Sequence, residues 1–171
     1  MNEKEFRNNV AAQENEPLFF KVQGTKVYPN PAPEDGGGQD IGFGHKIQPE
    51  EYERGLIHGV RWEGGITREE ALTILSFDIK VHEGRARNRY GSVEFDKLPR
   101  AGQQLLIDFS FTGTLNSFPK LFKAIKERDI VGVLNNYKRF FRYRGKLVEM
   151  HRRNAFAYRL IKELIDEGYF R

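Results

Sequence analysis

Residues 66–79 read Ile66-Thr67-Arg68-Glu69-Glu70-Ala71-Leu72-Thr73-Ile74-Leu75-Ser76-Phe77-Asp78-Ile79. Thr67 followed three residues later by Glu70 is a capping box. The hydroxyl accepts from a free N–H of the first turn, and the carboxylate reaches back to the N–H of the cap itself. Ala71, Leu72, Leu75 and Ile79 recur at helical spacing. The pattern predicts a long helix from Thr67 to about Arg89. The chain differs on its two sides. Upstream it is short-period and punctuated by Gly and Pro, and downstream it is helical. The reading is an α+β chain: a small N-terminal sheet lobe, a long connecting helix and an all-helical C-terminal lobe. A cleft between the lobes is the default ligand site.

Working upstream, Asn2 caps a first helix, with Glu5 at the reciprocal position. Phe6, Val10 and Glu14 fall at i, i+4 and i+8, so they share one face. Pro17 stops this helix near Asn15. Glu14 therefore ends an apolar stripe, where a carboxylate is either an edge residue or has a task. Residues 18–28 read as strand, broken at Gly24. Pro29-Asn30-Pro31-Ala32-Pro33 is a stiff loop, and Glu34-Asp35-Gly36-Gly37-Gly38 a flexible acidic one. Gln39-Asp40-Ile41-Gly42-Phe43-Gly44-His45 reads as a short strand whose Gly mark close backbone or ligand approach. Residues 18–47 are thus expected to form a small antiparallel sheet. Downstream, Pro99 opens a helix carrying Leu105, Leu106 and Phe109, stopped by Gly113. Asn116 or Ser117 starts the next, Asp129 a short one through Tyr137, and the last runs from about Val148 to Glu167.

The chain has 171 residues and no Cys. That length suffices for one self-supporting core, and the lack of Cys removes thiolate metal sites, thiol catalysis and disulfides. No apolar run approaches a membrane span, and the charged start lacks a signal-peptide h-region. The net charge of +4 admits nucleic acid or an anionic cell envelope as partner.

Two carboxylates on opposite walls of a cleft can hydrolyse a glycosidic bond. One donates a proton to the leaving oxygen, and the other activates water or stabilises the oxocarbenium ion. Glu14, at an apolar helix end, suits the acid. Asp40, beside Gln39 and several Gly, suits the ionised partner. The same acids, with Glu34 and Asp35, equally read as solvated surface. The Gly-rich stretches lack the Lys-Ser/Thr pair and following helix of a phosphate loop. His45, His58, His82 and His151 show no tight ligand spacing and read as structural or surface His, with no metal implied. The C-terminal half mixes Lys138, Arg139, Arg142, Arg144, Lys146, Arg152, Arg153 and Arg159 with Tyr137, Phe140, Phe141 and Tyr143. That mix fits phosphate contacts and stacking, an anionic envelope polymer, or an ordinary solvated face.

Gln13-Glu14-Asn15, Asp40-Ile41-Gly42-Phe43-Gly44-His45, Ile66-Thr67-Arg68-Glu69-Glu70-Ala71, Leu105 to Gly113, Phe118 to Asp129 and Arg152-Arg153 occur in that order. In this the chain resembles the phage-type (T4-like) lysozymes, the muramidase endolysins of tailed bacteriophages. Their pattern is a catalytic Glu ending the first helix, a β-hairpin with an Asp, a Thr-Ile-Gly-x-Gly-His box, and Ile-Thr-x-x-Glu-Ala opening the inter-lobe helix. The resemblance covers nearly the whole chain. It implies a single lysozyme-like domain over 1–171, with an N-terminal lobe of about 15–66, a connecting helix of about 67–90, and a helical lobe of about 91–171 on which helix 1 packs.

The resemblance also implies a peptidoglycan hydrolase that cuts the β-1,4 bond between N-acetylmuramic acid and N-acetylglucosamine. Glu14 would be the proton donor, and Phe43, Phe111 and Gly113 would meet the sugar. Asp40 stands where the family has Thr, so an Asp there could take the proton of the attacking water directly. Counting back to the family's own Asp lands on Glu34, or on Asp35 with a one-residue slip. The segment from Glu14 to Asp40 is longer than in the family, with 23–33 the inserted stretch. Phe111 replaces an Asn or Gln that faces sugar. The alternatives are a lytic transglycosylase of the same fold and a non-catalytic glycan-binding or virion-associated protein. Expected with the family are no cofactor, a monomer, no nucleic acid, and anionic envelope polymers held by the basic C-terminal lobe. Accumulation in the host cytoplasm, with release to the periplasm through a separate pore, or carriage in the virion, completes the expectation.

Overall fold

Asn2 caps helix α1 (Glu3–Glu14) by accepting the Glu5 N–H at 2.9 Å. The stripe read from the sequence is the buried face: Phe6, Val10 and Ala11 are wholly buried, and Glu14 is half-buried. The computed structural model of the protein describes residues 1–22, 24–32, 38–113 and 117–170. The chain divides into two compact units, one of Asn2–Lys80 and one of Val81–Arg171 with Met1. Among the described residues no helix is long and apolar enough to cross a membrane.

In the first unit, α1 is followed at once by α2 (Glu16–Phe19). The sequence predicts strand over 18–28, and the structure corrects this. Asn15 ends α1 and also caps α2, its Oδ1 accepting the Leu18 N–H at 3.1 Å. Pro17 stands in the first turn, where its fixed φ suits a helix and its missing N–H is not needed. Capping and Pro together outweigh the β-propensity of Leu18-Phe19-Phe20.

Among the described residues of 18–28, strand is confined to β1 (Lys26–Val27). Then come β2 (Asp40–Ile41), β3 (His45–Lys46), α3 (Pro49–Arg54), β4 (Leu56–Ile57), β5 (Val60–Arg61) and β6 (Ile66–Thr67). The expected single sheet over 18–47 is replaced by separate antiparallel pairs: β1 with β6, β2 with β3, and β4 with β5. The capping box holds as read. The Thr67 N–H donates to Glu70 Oε2 at 2.7 Å, and the Glu70 N–H donates to Thr67 Oγ1 at 3.2 Å. They open α4 (Arg68–Tyr90), close to the expected bounds. Its residues through Lys80 belong to the first unit and the rest to the second. Phe6, Val10, Leu18, Ile41, Ile57, Ile66, Ile74 and Leu75 form the buried interior of the first unit.

The second unit contains α5 (Ser92–Asp96), α6 (Arg100–Phe111), α7 (Pro119–Lys126), α8 (Ile130–Asn136), β7 (Phe140–Tyr143), β8 (Lys146–Glu149) and α9 (His151–Asp166). Asp129 caps α8, as its position predicts, by accepting the Gly132 N–H at 3.0 Å. Helix α6 packs on α9. Gly102 allows their approach, since a Cβ there would stand 3.4 Å from Leu164 Cδ2. The last helix does not begin at Val148. That residue is in β8, paired with Phe141 across a hairpin. Arg144 and Gly145 turn the hairpin at φ 47° and 77°. Two successive positive φ values are what a two-residue hairpin turn with right-twisted strands requires. The sum is a mixed chain of helices and small antiparallel strand pairs, in keeping with the α+β class.

Candidate functional site

The end of α1 is fastened to the turn between β2 and β3. Asn15 Nδ2 donates to the Gly42 carbonyl at 3.0 Å. Glu14 comes with it: a Cβ added to Gly44 would stand 3.6 Å from Glu14 Oε2. The turn needs both its glycines. Gly42 and Gly44 have φ of 66° and 84°, the left-handed region that a Cβ disfavours. Gly42 is doubly constrained, because a Cβ there would meet the Ala71 Cβ at 3.0 Å. The Gly-x-Gly pattern thus serves close approach, with α4 on one side and the Glu14 carboxylate on the other.

Asp40 opens the same hairpin, opposite Lys46 in the ladder. Its Oδ1 accepts from Asn30 Nδ2 at 2.5 Å, and its carbonyl accepts the Asn30 N–H at 2.8 Å. Asn30 is therefore clamped to both ends of one residue. Phe43, at the tip, is 4% exposed, so its ring packs inward. Glu34 and Asp35 lie outside the described residues. Asp40 and Phe43 thus lie on one hairpin of the first unit, and Glu14, at the end of α1, comes beside that hairpin at Gly44.

Phe111 and Gly113 belong to the second unit. Phe111 ends α6, its ring stacked on His82 with centroids 3.8 Å apart. His82 Nδ1 is hydrogen-bonded to Ser110 Oγ. Gly113 is exposed, with φ 144° and open space where a Cβ would be. A pocket of about 480 Å³ in this unit is lined by residues that include Thr112, Phe118, Asn135, Asn136, Phe140 and Met150. The sequence reading did not single it out.

His45 is more than the structural or surface His the sequence reading allowed. Its ring is 9% exposed and lies between two carboxylates. Nδ1 is 2.9 Å from Asp78 Oδ1, and Nε2 is 2.9 Å from Glu51 Oε2. Burial disfavours the charged ring, but hydrogen bonds and charge from Asp78 and Glu51 outweigh it and raise the pKa from 6.5 to about 9. A pKa raised in the folded state adds stability in full below the unfolded value of about 6.5, and that stability is lost as pH rises through about 9. The effect is of order 1–3 kcal/mol. In chelator-treated buffer, thermal unfolding between pH 6 and 10 is expected to show Tm falling across that window. The fall should largely vanish in Asp78→Asn. A flat wild-type profile would contradict the charged clamp.

His58 and Asp78 lie near His45, and one donor atom from each of the three falls within 4.8 Å of the others. His45, His58 and Asp78 are separated by 13 and 20 residues in the chain. No local motif could have announced them. The C-terminal basic and aromatic residues are partly gathered on the β7–β8 hairpin, where Phe140, Phe141, Tyr143 and Leu147 are about half exposed or more. Arg139 and Arg153 are not on that surface: both are buried beside Asp108. No protein-family model, curated protein or solved structure matches the chain.

Proposed function

We propose that the chain is a peptidoglycan-cleaving glycosidase of the phage-lysozyme type, a muramidase suited to host-cell lysis. The observation that carries this reading is the fastening of the Glu14 end of α1 onto the hairpin that begins with Asp40. It brings a carboxyl at the edge of an apolar face to the hairpin that also carries Asp40, whose Oδ1 accepts from the Asn30 amide. In the reaction Glu14 donates its proton to the glycosidic oxygen as the bond from C1 breaks. Asp40 takes a proton from the incoming water, whose oxygen bonds to C1. Asp40 then releases its proton to solvent, and Glu14 takes one back from solvent, which restores both groups. Carboxyls about 6.5–9.5 Å apart leave room for that water and give inversion, whereas about 5–5.5 Å would make Asp40 a nucleophile with retention.

Adsorption to anionic envelope polymers is part of the proposal, and the exposed aromatic hairpin with Arg142, Arg144 and Lys146 supports it. The test is mass spectrometry of fragments released from purified sacculi, at low and high salt. Fragments each carrying one added water are expected, in smaller yield at high salt because screening weakens exposed charge contacts. Anhydro-muramic ends would reassign the chemistry to a transglycosylase, in which the sugar's own hydroxyl attacks. No fragments from a folded sample would overturn the enzymatic reading.

A further inference from the structure

His58 sits in the two-residue turn between β4 and β5 with φ 48°, the left-handed value that such a hairpin turn requires and that His adopts more readily than most residues. Its ring is stacked on Phe77, centroids 4.3 Å apart and planes 11° from parallel. Phe77 precedes Asp78 on α4, so the stack that orients the imidazole also brings it beside the Asp78 carboxylate. The His45 ring stands edge-on to it at 5.9 Å. Two imidazoles and a carboxylate are the donor set of open zinc-type sites. The second nitrogen of His45 is already held by Glu51 Oε2 at 2.9 Å. A carboxylate behind a ligating imidazole is the usual outer support of such sites.

We propose that His45, His58 and Asp78 form a site for a divalent transition ion of the zinc class. The ion replaces the proton on His45 Nδ1, the nitrogen that now faces Asp78 at 2.9 Å. The ring then keeps its Nε2–H for Glu51. Donor atoms now spread over as much as 4.8 Å must draw in to the roughly 3.3 Å spacing set by ~2.0–2.2 Å bonds in a tetrahedron. His58, the exposed member, supplies that movement by rotating about its side-chain bonds. A fourth position is left to water. Nothing in the glycosidase reading uses His58, so the site stands or falls independently of Glu14.

The experiment is calorimetric titration of the full chain with zinc chloride at pH 7.5, with cobalt absorption as a second readout. One ion per chain is expected, with Kd in the micromolar range and cobalt bands of tetrahedral intensity. His58→Ala changes an exposed turn residue, so folding, checked by circular dichroism, should persist. Affinity should drop at least tenfold and the cobalt bands should weaken. His151→Ala, a histidine away from the cluster in sequence, should bind as wild type. No saturable binding below 1 mM zinc would overturn the proposal. Undiminished affinity in His58→Ala would do the same.

Discussion

Glu14→Gln is expected to leave the protein folded and to lower fragment release from peptidoglycan by at least a hundredfold. The amide keeps the shape of the side chain and its place beside Gly44, but it has no proton to give. Positioned acid catalysis contributes about 10²–10⁴ in rate, and the leaving alkoxide of a sugar depends on it. Folding should survive because the buried residues of α1 are Phe6, Val10 and Ala11, and Glu14 is only half-buried. Asn15, which fastens the helix end to the hairpin at 3.0 Å, is untouched. The comparison is initial rates on sacculi, with circular dichroism confirming equal helix content. A rate above about a hundredth of wild type would remove Glu14 from the proton-donor role.

The second large effect is on stability. Asp108→Asn should destabilise the protein by about 3–5 kcal/mol. Asp108 is wholly buried on α6 between two guanidinium groups. Arg139 approaches its Oδ2 at 2.7 Å, and Arg153 its Oδ1 at 3.5 Å. Arg139 also lies over the Phe109 ring, 4.2 Å from its centroid, and donates to the Arg153 carbonyl at 2.7 Å. Removing this carboxylate takes a buried negative charge from between two buried guanidinium groups. The desolvation already incurred by both then loses the compensation that the Asp108 charge gives. Tm should fall on the order of 10 °C for a chain of this size. A loss below about 1 kcal/mol in a denaturant titration would mean that solvent reaches the cluster.

The helices were legible because their signals are local. Asn2, Thr67 with Glu70, and Asp129 each announce a cap within four residues. Phe6, Val10 and Leu105, Leu106, Phe109 announce the buried faces. The errors arose where one local signal hid another. Leu18-Phe19-Phe20 looks like strand until Asn15 and Pro17 are weighed as the start of a second helix. Val148 reads as the start of the last helix until Arg144-Gly145, between two runs that carry Phe, Tyr, Leu and Val, is weighed as a hairpin signal. The candidate site divides in the same way. Glu14 and Asp40 could be named from an apolar stripe and a Gly-rich strand. The His45–Asp78 pair, His58 and the burial of Arg139 depend on contacts across tens of residues, which periodicity does not carry.

The β7–β8 hairpin has one further consequence, for local stability. Its residues from Phe140 to Leu147 are exposed, so little apolar burial opposes the opening of its ladder. Its base is different. Asn154 donates to the Arg139 carbonyl at 3.1 Å and accepts the Arg139 N–H at 2.8 Å, and the Met150 N–H adds a bond to the same carbonyl at 3.0 Å. Opening therefore starts at the Arg144-Gly145 tip and stops at Arg139, which the buried ion cluster holds. The hairpin can separate its strands as a unit of its own while α6 and α9 stay closed. Its amides should exchange with solvent long before those of the helices beneath, and a protease that cuts after Arg or Lys should nick there first.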